Sequence, residues 1–91
     1  MKFVYKKEFL KRFSAYSVSL QELILEADQQ IKTYLENQVA PYGLRIKKIG
    51  PNTFEARATD KIRIVWVRKD DIVYFVLLGT HDEVNRFIRN I

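Results

Sequence analysis

Apolar residues recur every three or four positions in the first forty residues of the chain and at every second position in much of the rest. Ahead of the first helical pattern, residues 2–5 (KFVY) read as a short strand. Phe9, Phe13 and Tyr16 then fall at helical spacing among Lys6, Lys7, Lys11 and Arg12, predicting a helix from Lys7 to Tyr16. Ser19-Leu-Gln-Glu22 has the form of a capping box, in which the serine hydroxyl accepts a free amide and the glutamate reaches back. The stripe Leu20, Leu23, Ile24, Ala27, Ile31, Tyr34 and Leu35 continues from it as a second helix, ended by Pro41-Tyr42-Gly43.

Residues 44–49 fit either a short strand or an extended loop, and Gly50-Pro51-Asn52 is a turn by composition. Residues 53–58 and 62–68 alternate as strands with one buried face. Residues 72–78 are apolar on both faces, as a central strand requires. Asp70-Asp71 reads as a tight turn between the last two strands. Thr80 and Glu83 form a second capping-box pattern, and Val84, Phe87, Ile88 and Ile91 predict a closing amphipathic helix over residues 81–90. The fold expected is a single α+β domain over residues 1–91, in the order β-α-α-β-β-β-α. Its antiparallel twisted sheet has a helical hairpin on one face and a basic opposite face.

Register follows from which residues must share the buried face. A two-residue turn between the strands 53–58 and 62–68 would put Arg63 opposite Ala56, on the core side. A three-residue turn through Thr59, Asp60 and Lys61 keeps Phe54, Ala56 and Ala58 with Ile62, Ile64 and Trp66. That choice makes Arg57 and Arg63 direct cross-strand neighbours. With a tight turn at Asp70-Asp71, Trp66 faces Phe75 and Arg63 faces Leu78. The outer face then carries Glu55, Arg57, Arg63, Val65, Val67, Tyr74 and Val76, with Thr80 at the strand's end. Two like charges placed opposite each other are unfavourable alone. Either Glu55, diagonal to Arg63, neutralises the pair, or an anion lies between the arginines; both readings stay open.

Charge gives the pair a context. Sixteen Lys and Arg against eleven Asp and Glu leave a net charge of +5, which suits a polyanionic partner such as nucleic acid, or an acidic protein, and equally suits plain solubility. There is no cysteine, so disulfides and thiolate metal sites are excluded, and the single histidine with scattered carboxylates makes no metal set. Neither a signal peptide nor a membrane span is apparent, so a cytoplasmic protein with no membrane contact is expected.

The single histidine, His81, stands where the central strand gives way to the closing helix. It is either an ordinary surface residue of a first helical turn or a titrating group beside two arginines. The helix start disfavours its protonation while Asp82 and Glu83 favour it. RNA carries its own nucleophile in the 2′-hydroxyl. Cleavage then needs a base for that proton, an acid for the leaving 5′-oxygen and cations for the phosphorane charge. Arg57, Arg63 and His81 are groups of those kinds, and no cofactor is called for.

The element order, the stretch FEARATDKIRIVWV and the segment GTHDEV together resemble the RelE/ParE superfamily of toxin–antitoxin toxins over nearly the whole chain. The Gly-Thr-His resembles the YafQ-like branch, where a histidine at the strand end takes part in cleavage. The resemblance implies a ribosome-dependent endoribonuclease that cuts mRNA and is held inactive by a cognate antitoxin protein. It gives Arg57 the basic position of the first hairpin strand, Arg63 the arginine at the scissile phosphate, and His81 the role of acid or base. Lys47 and Lys48 fall in a segment that often contacts the RNA backbone; without the resemblance they and Arg45 read as a solvated edge. Lys61 and Tyr74, the latter on the face where a base would stack, complete the RNA-binding candidates. Related toxins often carry a lysine where Glu55 stands, or a catalytic glutamate near residues 45–48, so Glu55 is a candidate base. An aromatic residue common after the strand end is replaced by Asn85. These departures also fit a ParE-like gyrase inhibitor without nuclease activity, or a nuclease-dead RNA-binding relative.

Overall fold

The structure, a computed structural model, describes residues 1–90. Ile91, the last apolar position expected on the closing helix, lies outside the described residues. The chain runs β1 (Lys2–Tyr5), α1 (Lys7–Ala15), α2 (Val18–Asn37), a single 3-10 turn (Tyr42–Leu44), β2 (Lys47–Gly50), β3 (Thr53–Arg57), β4 (Ile62–Lys69), β5 (Ile72–Thr80) and α3 (His81–Arg89). The expected elements appear in the expected order with one strand added, β2, which takes the end of the ambiguous segment 44–49 while Leu44 belongs to the 3-10 turn. The second helix starts earlier than the capping pattern suggested. Its N-cap is Ser17, whose hydroxyl accepts the Leu20 N–H at 3.3 Å, so Ser19 lies within the first turn.

The five strands form one sheet in the order β1-β5-β4-β3-β2. It is mixed rather than wholly antiparallel, because β1 runs parallel to β5, with Lys2 beside Ile72 and Tyr5 beside Phe75. The helices between β1 and the other strands supply the long crossover that a parallel pair needs. The β3–β4 hairpin has the three-residue turn expected from burial: Phe54 pairs with Trp66, Ala56 with Ile64, and Arg57 with Arg63. Inside the turn, the Ala58 and Thr59 amides both donate to the Ile62 carbonyl, at 2.9 and 3.2 Å.

The β4–β5 register departs from expectation halfway along. Trp66 does face Phe75, but Val65 faces Leu77, so Val76 is an extra residue in β5. This bulge reverses the alternation of the strand. Arg63 therefore pairs with Gly79 and not Leu78. Leu78 turns inward, where it is fully buried with Phe75, Trp66, Ile64 and the α2 residues Ile24 and Ile31.

Leu77 is sent to the other face. There it joins Val65 and Val84 of α3 in a second small core, with Ile49, Val76, Phe87 and Ile88 at its margin. The outer face of the sheet is thus shared between an apolar half under α3 and the hairpin that carries the arginines. On the inner face Tyr5 donates to both oxygens of the buried Asp28 carboxylate, at 2.7 and 2.8 Å, and Lys32 closes the contact at 3.2 Å, tying α2 to β1. Burial, above all, pushes the Tyr5 hydroxyl up from its ordinary pKa.

Candidate functional site

Strand alternation decides what the β3–β4 hairpin presents outward. With Phe54 and Ala56 packed inward, Glu55 and Arg57 take the other face, and Arg63 joins them directly across from Arg57. On the neighbouring strand Lys47 stands opposite Glu55. Arg45, Ile46, Lys47, Glu55, Arg57 and Arg63 line one cavity of about 280 Å³. Four cationic residues and one acidic residue thus line one cavity.

That carboxylate is deep. Glu55 is 2% exposed and Arg63 7%. One Glu55 oxygen lies 3.5 Å from Lys47 Nζ and 3.8 Å from Arg63 Nη1. Arg63 Nε is buried and has no hydrogen-bond partner among the described residues. Arg57, across the ladder, takes part in neither ion pair. Glu55 does approach Arg63, as one of the two sequence readings required, yet it shares its charge with Lys47. A buried charged group left partly unpaired is costly, and an anion in the cavity would relieve that cost. Arg45 enters the cavity from a left-handed backbone conformation (φ 47°), its guanidinium 5.5 Å from the centre of the exposed Tyr42 ring.

The other candidates lie outside this cavity. His81 is the first residue of α3, exposed, two positions past the Gly79 that pairs with Arg63. Its Nε2 lies 3.2 Å from Asn85 Nδ2, a side-chain pair one helical turn apart. Lys48 is exposed on β2 opposite Phe54, so it alternates away from Lys47 and the cavity. Lys61 is exposed in the hairpin turn. Tyr74 is half-buried five residues before Gly79 on β5, roughly 16 Å along the strand at ~3.3 Å per residue, with Lys6 Nζ 5.7 Å from its ring centre. The structure gathers Arg45, Lys47, Glu55, Arg57 and Arg63, sets His81 at the adjoining strand end, and leaves Lys48, Lys61 and Tyr74 apart.

Arg12 is a structural partner of this end that sequence reasoning missed. The expected capping box of α3 is complete: Thr80 Oγ1 accepts the Glu83 N–H, and Glu83 Oε1 accepts the Thr80 N–H at 2.9 Å. The second Glu83 oxygen pairs with Arg12 of α1, whose Nε also donates to Glu8 at 3.0 Å. Gly79 leaves room for this packing, since a β-carbon there would lie 3.0 Å from Glu83 Oε1. Glu8 and Arg12 are an i,i+4 pair within α1. The Arg12–Glu83 link joins elements far apart in the chain.

This clasp has a measurable signature. Hydrogen bonding from Arg12, then from the Thr80 backbone, lowers the Glu83 carboxyl from 4.5 to about 2. A depressed carboxyl stabilises the fold above its unfolded pKa, and that stability is lost as pH falls from 4.5 towards about 2. With the side chain a quarter exposed, a contribution of about 1–2 kcal/mol is expected after allowing for solvent screening. Glu83→Gln, which keeps the cap and removes the charge, should unfold more easily than wild type at pH 6 by that amount. Urea melts of the two chains should converge near pH 2. A constant gap across that range would show that the charge is not what holds α3.

No family model matches the chain, and no curated protein matches it in sequence. Solved structures do match, and they define a class. The chain has the fold of the RelE-, YafQ- and YoeB/ParE-type toxins. It is similar to a copper-bound mutant toxin from Helicobacter pylori, at 19% identity over 92% of this chain and 98% of that one, with a TM-score of 0.68. The RelB–RelE antitoxin–toxin complex from Methanococcus jannaschii matches at 17% identity over 92% and 96%, TM-score 0.66. The E. coli DinJ–YafQ complex matches at 16% over 91% and 96%, TM-score 0.62. At these identities the likeness establishes the fold.

Proposed function

We propose that this chain is the toxin of a toxin–antitoxin pair: a cytoplasmic, metal-independent, ribosome-dependent endoribonuclease that cleaves mRNA by attack of its own 2′-hydroxyl. The observation that carries the reading is the cavity itself, lined by four cationic residues and one acidic residue, with a buried Arg63 N–H left without a partner among the described residues. The toxin fold supports it, and two of the similar structures are complexes of a toxin with its antitoxin.

In this reading Arg57 and Arg63 hold the scissile phosphate and meet the charge that develops on the phosphorane oxygens. Their placement opposite each other on one ladder, unfavourable by itself, becomes favourable around an anion. His81 transfers a proton at the edge of the site. Its exposure leaves the ring open to a ligand as large as RNA, and its Nε2 lies 3.2 Å from the Asn85 amide nitrogen. Lys47 and Arg45 extend the cationic lining along the RNA backbone, with Lys48, Lys61 and Tyr74 as outlying contacts. The antitoxin is an acidic chain that covers Arg57, Arg63 and His81.

The test is cleavage of mRNA on programmed ribosomes, with free RNA as the control. Cuts confined to the ribosome and ending in 2′,3′-cyclic phosphate are expected. His81→Ala should slow them about 10²–10⁴-fold, the usual range for removing a general acid or base. No cleavage by a folded, antitoxin-free chain would sink the nuclease reading and direct attention to DNA gyrase.

A further inference from the structure

We infer that Glu55 is an internal anion: its carboxylate holds the place between Lys47 and Arg63 that a phosphate group takes when the cavity is filled, so an incoming phosphate competes with it. The inference rests on reading this cavity as the phosphodiester site.

Among the described residues Glu55 is the one carboxylate lining the cavity, with Arg45, Lys47, Arg57 and Arg63. A charge only 2% exposed persists because it is paired. Its two pairs are loose, however. At 3.5 and 3.8 Å they exceed the roughly 2.7–2.9 Å of a charge-assisted hydrogen bond. Glu55 meets Arg63 only through Nη1 and leaves Nε, also buried, with nothing among the described residues to donate to. The carboxylate therefore offsets one of the cavity's four cationic charges and leaves the buried Arg63 Nε unsatisfied.

A phosphate has more acceptor oxygens than a carboxylate. One can accept from Arg63 Nε while others face Arg57 and Lys47, a set that Glu55 does not complete from where it sits. Chloride or a lone carboxylate gains little over the carboxylate already present, so the site favours phosphate, which must still displace Glu55 to bind.

The experiment needs neither RNA nor ribosome. Inorganic phosphate is titrated into the free protein at low ionic strength, with chloride as the control, and binding is read by calorimetry and from the Arg63 Nε–H resonance. Glu55→Gln should bind phosphate at least tenfold more tightly than wild type, with the resonance shifting on binding. Equal or weaker binding by Glu55→Gln would overturn the inference, because Glu55 would then be ordering the cations rather than competing for them. Should Glu55→Gln not fold in chloride, Glu55→Met is used, and phosphate should restore the fold of either. Chains that stay unfolded in phosphate also overturn it. A protein that cuts no RNA while its Gln variant gains phosphate affinity loses the nuclease reading and keeps the competition. The reverse result keeps the nuclease and loses the competition.

Discussion

On the nuclease reading proposed above, replacing Arg63 by alanine should cut the rate of mRNA cleavage by about 10²–10³-fold, the loss typical of removing one preorganised donor to a developing negative charge. The size follows from burial. Arg63 is 7% exposed, with Nη1 towards Glu55 and Nε free, on a strand whose neighbours Ile62 and Ile64 are packed in the core. Its guanidinium is therefore fixed before any ligand arrives, and a phosphate bound there needs little reorganisation. Arg63→Lys keeps the charge and loses the planar fork, so it should fall between wild type and alanine. Folding is expected to survive, since Glu55 retains Lys47 at 3.5 Å and an uncompensated guanidinium nitrogen is removed. Thermal melts by circular dichroism give the folded fraction, and cleavage per folded molecule is compared. A rate within twofold of wild type would remove Arg63 from the site.

The placement of Arg63 was legible because it depended on local alternation. Only a turn through Thr59, Asp60 and Lys61 keeps Ala56 opposite Ile64, and that fixes Arg57 against Arg63. Further along the sheet, local alternation no longer marks the register. Residues 72–78 are apolar on both faces, so no polar position marks where the alternation slips at Val76. Hence Arg63 was paired with Leu78 instead of Gly79, and the cluster of Val65, Leu77 and Val84 under α3 went unseen. Ser17 and Ser19 both suit a helix start; the choice was made by backbone geometry, which places Ser17 at the cap. The direction of β1 was hidden for a different reason. Its partner Ile72 lies seventy positions beyond Lys2, and hairpin signals speak only of neighbours. The cavity was half legible. Glu55, Arg57 and Arg63 came from the hairpin, but Lys47 joined them through a strand whose residues also fitted a loop.

The largest effect on stability is expected at Phe75. It is fully buried, and four aromatic rings surround it: Tyr5 at 4.8 Å between centroids, Phe9 at 5.8 Å, Phe3 at 6.2 Å and Trp66 at 6.4 Å. It also pairs with Tyr5 in the parallel ladder and with Trp66 in the antiparallel one, at the point where the bulge begins. Phe75→Ala removes the shared neighbour of β1, α1 and β4 at once. A cost of about 3–5 kcal/mol is typical of such a truncation, against a total of about 5–15 kcal/mol for a domain. The melting temperature should fall by roughly 12–40 °C, given about 4–8 °C per kcal/mol in a chain of this size. A fall below 5 °C would mean that the core closes around the gap, or that Phe75 is not its centre. The cavity lies beyond this aromatic cluster, on the outer side of the sheet. Cleavage per folded molecule should therefore stay near that of wild type below the new melting point, while activity in the cell follows the folded fraction. This separates Phe75→Ala, which acts through the population of the fold, from Arg63→Ala, which acts at full folding through the charge of the site.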